Sequence, residues 1–320
     1  MSNYKSTHFL PFVLKVYEIL FLLSPLLTNF ANSIVDLEMN DEPLVIDVDE
    51  LVRQRLPRYY RFIPRWLTRW LERIIHQREL NEILQRMCGK DGVGAAHEAL
   101  DYLDIATEVK HADRIPAEGR FIFVSNHPLG GLDGLSLIAF LGGRYKGAIR
   151  FLVNDLLMAV KPLQPVFLPV NKYGRQSRGR AAEIEAEYQG QKQMITFPAG
   201  LCSRMGKNGK IHDLQWQKFV VMHAIRSQRD IVPMYFDGEN SRFFYRMARW
   251  RKRLGMKFNL EMILLPGEMF KSRGKRFRVV VGKPIAWQSL DASHPMEEAQ
   301  RLADICYALK PENENKNFNI

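Results

Sequence analysis

The chain has 320 residues, 46% of them hydrophobic and 25% charged, which is the composition of a folded globular protein, not a disordered or fibrous one. Its formal charge of +11 implies an anionic partner such as an acidic membrane surface, an acidic carrier protein or nucleic acid. Three widely spaced cysteines, Cys88, Cys202 and Cys306, lack any Cys-x-x-Cys spacing, which argues against a disulfide framework or zinc knuckle and for a reducing cytoplasm.

Residues 1–40 form an apolar N-terminal extension, densest over 9–27, where Lys15 and Glu18 interrupt the run and Pro11 and Pro25 bracket it. Each central charge costs an inserted helix about 2.5–3.5 kcal/mol, so three readings stand: a single anchor, an interfacial helix, or a true start at Met39. Residues 41–110 read as a helical, amphipathic region. Over 64–87, Trp66, Leu67, Trp70, Leu71, Ile74 and Ile75 recur at three- and four-residue spacing, with Arg65, Arg69, Arg73 and Arg78 largely off that stripe. The helix either packs its stripe on a core or lies in a lipid headgroup layer, and the two are compatible. After the break at 89–94, residues 95–110 again read as helical.

From 111 to 310 the pattern becomes α/β. Short apolar runs at 121–125, 149–153, 166–170, 193–197, 231–236 and 277–281 predict strands. Helical stretches at 179–189, 216–226 and 293–309 fall between or after them. The alternation predicts a mainly parallel central sheet flanked by helices, with reactive residues on loops past the strand ends. Residues 311–320 read as a polar, disordered tail.

The segment Phe121-Ile-Phe-Val-Ser-Asn-His127-Pro-Leu-Gly130-Gly131-Leu-Asp133-Gly carries the chemistry. A buried strand runs into a loop presenting a histidine, two glycines and a carboxylate. Histidine accepts a proton near neutral pH, and a carboxylate on its second nitrogen fixes the tautomer. Gly130 and Gly131 let the loop turn Asp133 back toward His127 and bring backbone N–H groups near a developing oxyanion. Asp133 is also suited to cap a helix beginning near Gly134.

Asn126-His127 with Asp133 resembles the first motif of the glycerolipid acyltransferases of the lysophosphatidic-acid type. That motif places four residues between histidine and aspartate, whereas this chain has five, as in a bacterial subgroup that O-acylates ornithine and glycine lipids. Val170-Asn-Lys172-Tyr-Gly-Arg175-Gln-Ser-Arg178 stands where the second motif falls. Phe197-Pro-Ala-Gly200-Leu-Cys-Ser203-Arg204 stands for the third, and Ile231-Val-Pro233-Met-Tyr-Phe resembles the fourth.

The resemblance implies an acyltransferase-like α/β fold with His127 and Asp133 as the catalytic pair. It implies an acceptor site drawing on Lys172, Arg175, Arg178, Gly200, Ser203 and Arg204, with Asn240 after the fourth strand. The implied co-substrate is acyl carrier protein or coenzyme A bearing a fatty-acyl thioester, with no cofactor and no metal. Ala199 replaces the family's third-motif glutamate, and Arg204 lies farther from Gly200 than the family arginine. Both departures favour a lyso-amino-acid lipid acceptor over lysophosphatidic acid. The implied location is the cytoplasmic face of the inner membrane, peripheral or with one N-terminal anchor.

His76, His97, His111, His212, His223 and His294 lack a comparable setting and read as structural or surface residues, as does Asp213 beside His212. Cys202 has no partner base in its sequence neighbourhood. Residues 241–257 hold seven basic and no acidic residues, with Phe243, Phe244, Tyr245 and Trp250 interleaved. Such a run suits a nucleic-acid groove, an acidic carrier protein, anionic lipid or a solvated helix face. No nucleic-acid-binding signature accompanies it, so no nucleic-acid partner is expected. The chain also lacks a P-loop, a dinucleotide fingerprint and a Gly-x-Ser-x-Gly elbow. Two further functions stay open: making phosphatidic acid from its lyso form, and a non-catalytic membrane-binding role.

Overall fold

The computed structural model describes residues 45–55, 57–170, 178–206, 208–256 and 259–311. The N-terminal extension, Lys172, Arg175 and the tail beyond 311 lie outside them.

Helices α1 (Val48–Arg55), α2 (Pro57–Tyr60), α3 (Arg65–Ile74), α4 (Gln77–Met87) and α5 (Gly92–Tyr102) come first. The stripe expected to be one helix over 64–87 is split, because His76 adopts a left-handed conformation at φ 55° and turns the chain between α3 and α4. Leu67 and Leu71 are buried while Trp66 and Trp70 remain exposed.

The second expected helix also ends early. Leu103 caps α5, Asp104 takes φ 51°, and Ala106–Lys110 becomes strand β1. Helix periodicity extends through this segment, but parallel pairing with β9 captures the β-branched Thr107 and Val109.

The remaining elements are β2 (Phe121–Ser125), α6 (Leu132–Arg144), β3 (Ile149–Asn154), β4 (Phe167–Val170), α7 (Arg178–Gln189) and β5 (Gln193–Thr196). They continue through β6 (Arg204–Met205), β7 (Ile211–His212), α8 (Phe219–Ser227), β8 (Asp230–Asp237) and α9 (Arg242–Arg253). After α9 a 3₁₀ turn at Leu260–Leu264 leads into α10 (Leu265–Phe270), then β9 (Arg276–Val281) and α11 (Pro295–Ala308).

The described strands form a sheet in the order β1-β9-β8-β2-β5-β3-β4. From β8 to β4 all neighbours are parallel, whereas β9 joins β8 antiparallel and β1 runs with β9. The sheet is therefore mainly parallel with a reversed edge, and helices cover both of its faces.

Side-chain alternation divides the core. Phe121 and Phe123 of β2 join Phe151, Ile195, Val232 and Phe236 beneath α5 and α6. Ile122 and Val124 face the other way, onto Val220 and Val221 of α8, Leu302 of α11 and the buried Trp216. Burial on both sides explains why β2 reads as an unbroken apolar run. At the opposite end of the sheet, the fully buried Arg229 donates to carbonyls of Tyr188, Gly190 and Lys192, tying loops together.

The parallel strands β8, β2 and β5 end on one edge of the sheet, so residues just beyond Ser125, Thr196 and Asp237 meet there.

Candidate active site

His127 lies two residues beyond β2, held by its backbone as well as its ring. Asn126 is buried and grips the last turn of β8, donating to Phe236 O at 2.9 Å and accepting Phe236 N–H at 2.6 Å. This two-bond clamp fixes the point at which the chain leaves the sheet.

The loop then closes on Asp133. His127 Nδ1 lies 2.9 Å from Asp133 Oδ2, which also accepts Leu129 N–H at 2.9 Å and faces Gly130 N–H at 3.4 Å. Asp133 Oδ1 accepts Gly134 N–H at 2.9 Å. The carboxylate is fully buried, and His127, Leu129, Gly130 and Gly134 each turn an N–H toward it. Burial alone raises its pKa, but the His127 ring and the N–H groups of Leu129 and Gly134 outweigh that and hold it below the usual aspartate range.

The five-residue spacer works because of one glycine. Gly130 sits at φ 81°, and a Cβ there would come within 2.9 Å of Leu265 Cδ1. Gly131 instead has open space around its Cα and occupies the N-cap of α6. Asp133 therefore stands in the first turn of α6, not at its cap, where the helix dipole also favours its charge.

The imidazole stacks on Phe197 with ring centres 4.0 Å apart and an interplanar angle of 16°. Phe197 immediately follows β5, so the third motif forms one wall. With 16% of its side chain exposed and Nδ1 engaged, His127 has Nε2 as the ring nitrogen not taken by Asp133.

Ser203 and Asp213 support the histidine from behind. Ser203 N–H donates to His127 O at 2.7 Å, and Ser203 Oγ donates to Asp213 Oδ1 at 2.6 Å. The same Asp213 oxygen accepts His127 N–H at 3.2 Å, while Oδ2 accepts Trp216 Nε1–H at 3.0 Å. Asp213, which beside His212 reads from the sequence as a surface residue, instead belongs to the site. His212 itself stacks on Tyr307. The partner of Asp213 is 86 residues upstream, and the nearest signal was the buried-type Trp216 three residues on.

Asn240 also reaches the loop, donating from Nδ2 to Pro128 O at 3.0 Å. Gly200 turns at φ 65° and donates its N–H to Phe197 O at 2.9 Å. The guanidinium of Arg204 lies 3.0 Å from Glu261 Oε1 and donates to the carbonyls of Cys202 and Ser203. Arg251 Nε stands 2.7 Å from Glu261 Oε2, close but off a hydrogen-bond axis. Glu261 is fully buried between the two arginines, a contact no local motif announces.

Thus the structure brings His127, Asp133, Gly130, Ser203, Gly200 and Asn240 to one strand edge, with Arg204 braced beside them. Lys172 and Arg175 fall outside the described residues, and Arg178 opens α7. Cys202 is buried, which pushes its thiol up and away from a thiolate nucleophile, although Arg204 acts in the opposite direction. Among the described residues there is no group of histidine, cysteine and carboxylate side chains suited to a metal ion. Chemically, the site offers a partly buried, oriented imidazole whose Nδ1 is engaged by Asp133, leaving Nε2 to exchange a proton.

Comparison with known proteins bears on this arrangement. A family described as acyltransferase matches residues 50–313. The chain is similar to the lyso-glycine lipid O-acyltransferase of Bacteroides thetaiotaomicron, with 45% identity over 85% of this chain and 100% of that one. It is also similar to the lyso-glycine lipid O-acyltransferase of Phocaeicola vulgatus, with 42% identity over 84% of this chain and 97% of that one. A solved structure of the 1-acyl-sn-glycerophosphate acyltransferase of Thermotoga maritima aligns over 82% of this chain and 96% of that one, at 15% identity and TM-score 0.40.

Proposed function

The chain belongs to the acyltransferase family and is an acyltransferase, and from that premise we propose that it moves a fatty-acyl group from a thioester onto the hydroxyl of a lyso-glycine lipid. The observation that carries this reading is the His127–Asp133 pair at 2.9 Å, its carboxylate fully buried, set at the end of β2 in a chain whose relatives are named for that acceptor. Acyl carrier protein or coenzyme A supplies the acyl group. The enzyme works at the cytoplasmic face of the inner membrane. Among the described residues no helix is long and apolar enough to cross a bilayer.

In this mechanism the acceptor hydroxyl gives its proton to His127 Nε2 as its oxygen attacks the thioester carbonyl. The new C–O bond forms, the C–S bond breaks, and the imidazolium returns the proton to the departing thiolate. Asp133 keeps the ring proton on Nδ1 and stabilises the imidazolium without being protonated. General base catalysis of this kind contributes roughly 10²–10⁴-fold. The Leu129 and Gly130 N–H groups point at Asp133 Oδ2, so the glycine loop serves first to hold the carboxylate and not as an oxyanion donor.

Gly200, Ser203 and Asn240 shape the acceptor side, with Arg204 acting through its brace on Glu261. Lys172, Arg175 and Arg178 supply positive charge to a carboxylate-bearing head group. Ala199, small and buried where the resembled motif carries glutamate, removes a negative charge from that wall, which suits an acceptor bearing its own carboxylate.

The test is acyl transfer by purified protein to lyso-glycine lipid, lyso-ornithine lipid and lysophosphatidic acid, each with both donors. Ester formation on lyso-glycine lipid at the highest kcat/KM is expected. Preference for lyso-ornithine lipid or lysophosphatidic acid would overturn the acceptor assignment while leaving the family intact.

A further inference from the structure

Two surfaces outside the active site share one unusual pattern. Between 57 and 73, an arginine directly precedes each exposed aromatic residue, giving Arg58-Tyr59, Arg61-Phe62, Arg65-Trp66 and Arg69-Trp70. Phe62 is 68% exposed and Trp66 52%, although aromatics of this size normally bury. On α9, Arg242, Arg246 and Arg253 are exposed beside Phe243, at 55%, and Leu254. Their spacing places them along one face of the helix, opposite the buried Phe244, Tyr245 and Ala248.

The charge is placed against local helix energetics. Neither α3 nor α9 has an acidic residue in its first turn, where the helix dipole favours one, and each opens on an arginine instead. Among the described residues, Arg58, Arg61, Arg65, Arg69, Arg242, Arg246 and Arg253 have no carboxylate at ion-pair distance. Cations kept unpaired, at positions that weaken the helix, and interleaved with exposed aromatics fit a partner that is both anionic and apolar.

One bracket connects both surfaces to the active-site loop. Glu268 of α10 accepts from Ser241 N–H and Ser241 Oγ, fixing the start of α9. Phe270 packs on His76 at the α3–α4 junction, with ring centres 4.7 Å apart. Leu265 covers Gly130. Glu261, just upstream, takes Arg251 of α9 and Arg204 of the third motif.

We propose that the 57–73 surface and the exposed face of α9 form a two-part docking surface for an anionic lipid bilayer, arginines on headgroup phosphates and aromatics in the interfacial layer, with the Leu260–Phe270 bracket fixing it relative to the His127 loop. A bilayer accounts for both halves of the pattern. An acidic protein would match the arginines but leave four consecutive Arg–aromatic steps unexplained. The proposal rests on the membrane location proposed above but is separable from the acyl-transfer reading, because binding is measured without turnover.

The experiment is sedimentation of the full chain with vesicles of phosphatidylcholine alone, and of phosphatidylcholine mixed two to one with phosphatidylglycerol. The variants are Arg65→Gln with Arg69→Gln, Arg246→Gln with Arg253→Gln, and the corresponding lysine pairs. Each arginine near an anionic surface contributes about fivefold in affinity, so each glutamine pair is expected to weaken binding to the anionic vesicles about 25-fold. The lysine pairs should bind as the parent does, unfolding temperatures should be unchanged, and added salt should erase the differences. Wild-type binding by either glutamine pair would overturn the two-part surface. Loss of affinity for purified acyl carrier protein with vesicle binding intact would overturn the lipid assignment in favour of a protein dock.

Discussion

Asp133→Asn tests the orientation of the histidine with almost no change in shape. In the native site Oδ2 receives His127 Nδ1–H and Leu129 N–H at 2.9 Å each, and Oδ1 receives Gly134 N–H at 2.9 Å. Asparagine supplies one oxygen and one NH₂, so either rotamer points a donor at a donor in a fully buried position. With NH₂ on the Oδ2 side, the only way to keep a bond to His127 is to move the ring proton to Nε2, which abolishes the base. With NH₂ toward Gly134, the tautomer survives but two buried donors oppose each other. An unsatisfied buried group costs about 1–3 kcal/mol, so stability should fall by that amount. Loss of the correct tautomer and of imidazolium stabilisation should lower kcat by about 10²–10⁴ with little change in KM. Thiol release from the acyl donor, followed alongside thermal unfolding, reads both effects. A folded Asp133→Asn protein within threefold of wild-type kcat would refute the pairing argument.

Other consequences are testable alongside it. Gly130→Ala places a side chain at φ 81° against Leu265, so it should lose about 1–3 kcal/mol of stability and most activity. Gly131→Ala meets open space and should stay near wild type in the same melts and assays. Arg204→Ala strips one partner from the fully buried Glu261; it should destabilise by up to about 3 kcal/mol. The same substitution should raise KM for lyso-amino-acid and lysophosphatidic acceptors alike, since the side chain braces the wall; a rise confined to one acceptor would instead indicate direct contact. Acid should bring wild type and Asp133→Asn closer in stability: because the folded site holds Asp133 below its ordinary range, its contribution is full above that range and is lost as pH falls through the depressed value. The stability gap between the two proteins should therefore narrow in acid, and a gap independent of pH would contradict the direction of the shift.

What could be read from the sequence follows from how local its cause was. Strand β2 was legible because burial on both faces makes its first four residues apolar, and His127 and Asp133 were legible because a glycine turn brings them together within one short loop. Strand β1 was not, since Ala106–Lys110 is drawn into the sheet by β9, far along the chain, against a helical local pattern. The break at His76 depends on a left-handed residue that no glycine or proline marks. Asp213 and Glu261 were missed for a related reason: each reaches its partner across 86 or 57 residues, and a lone carboxylate in sequence looks the same whether it is solvated or holding the active-site loop.

The most direct test of the central claim is His127→Ala assayed in single turnover with acyl donor and lyso-glycine lipid, with acceptor binding measured on the same protein. The account predicts unchanged acceptor affinity and fold, and a rate of ester formation reduced by about 10²–10⁴. Ester formation at the wild-type rate by the folded variant would contradict it.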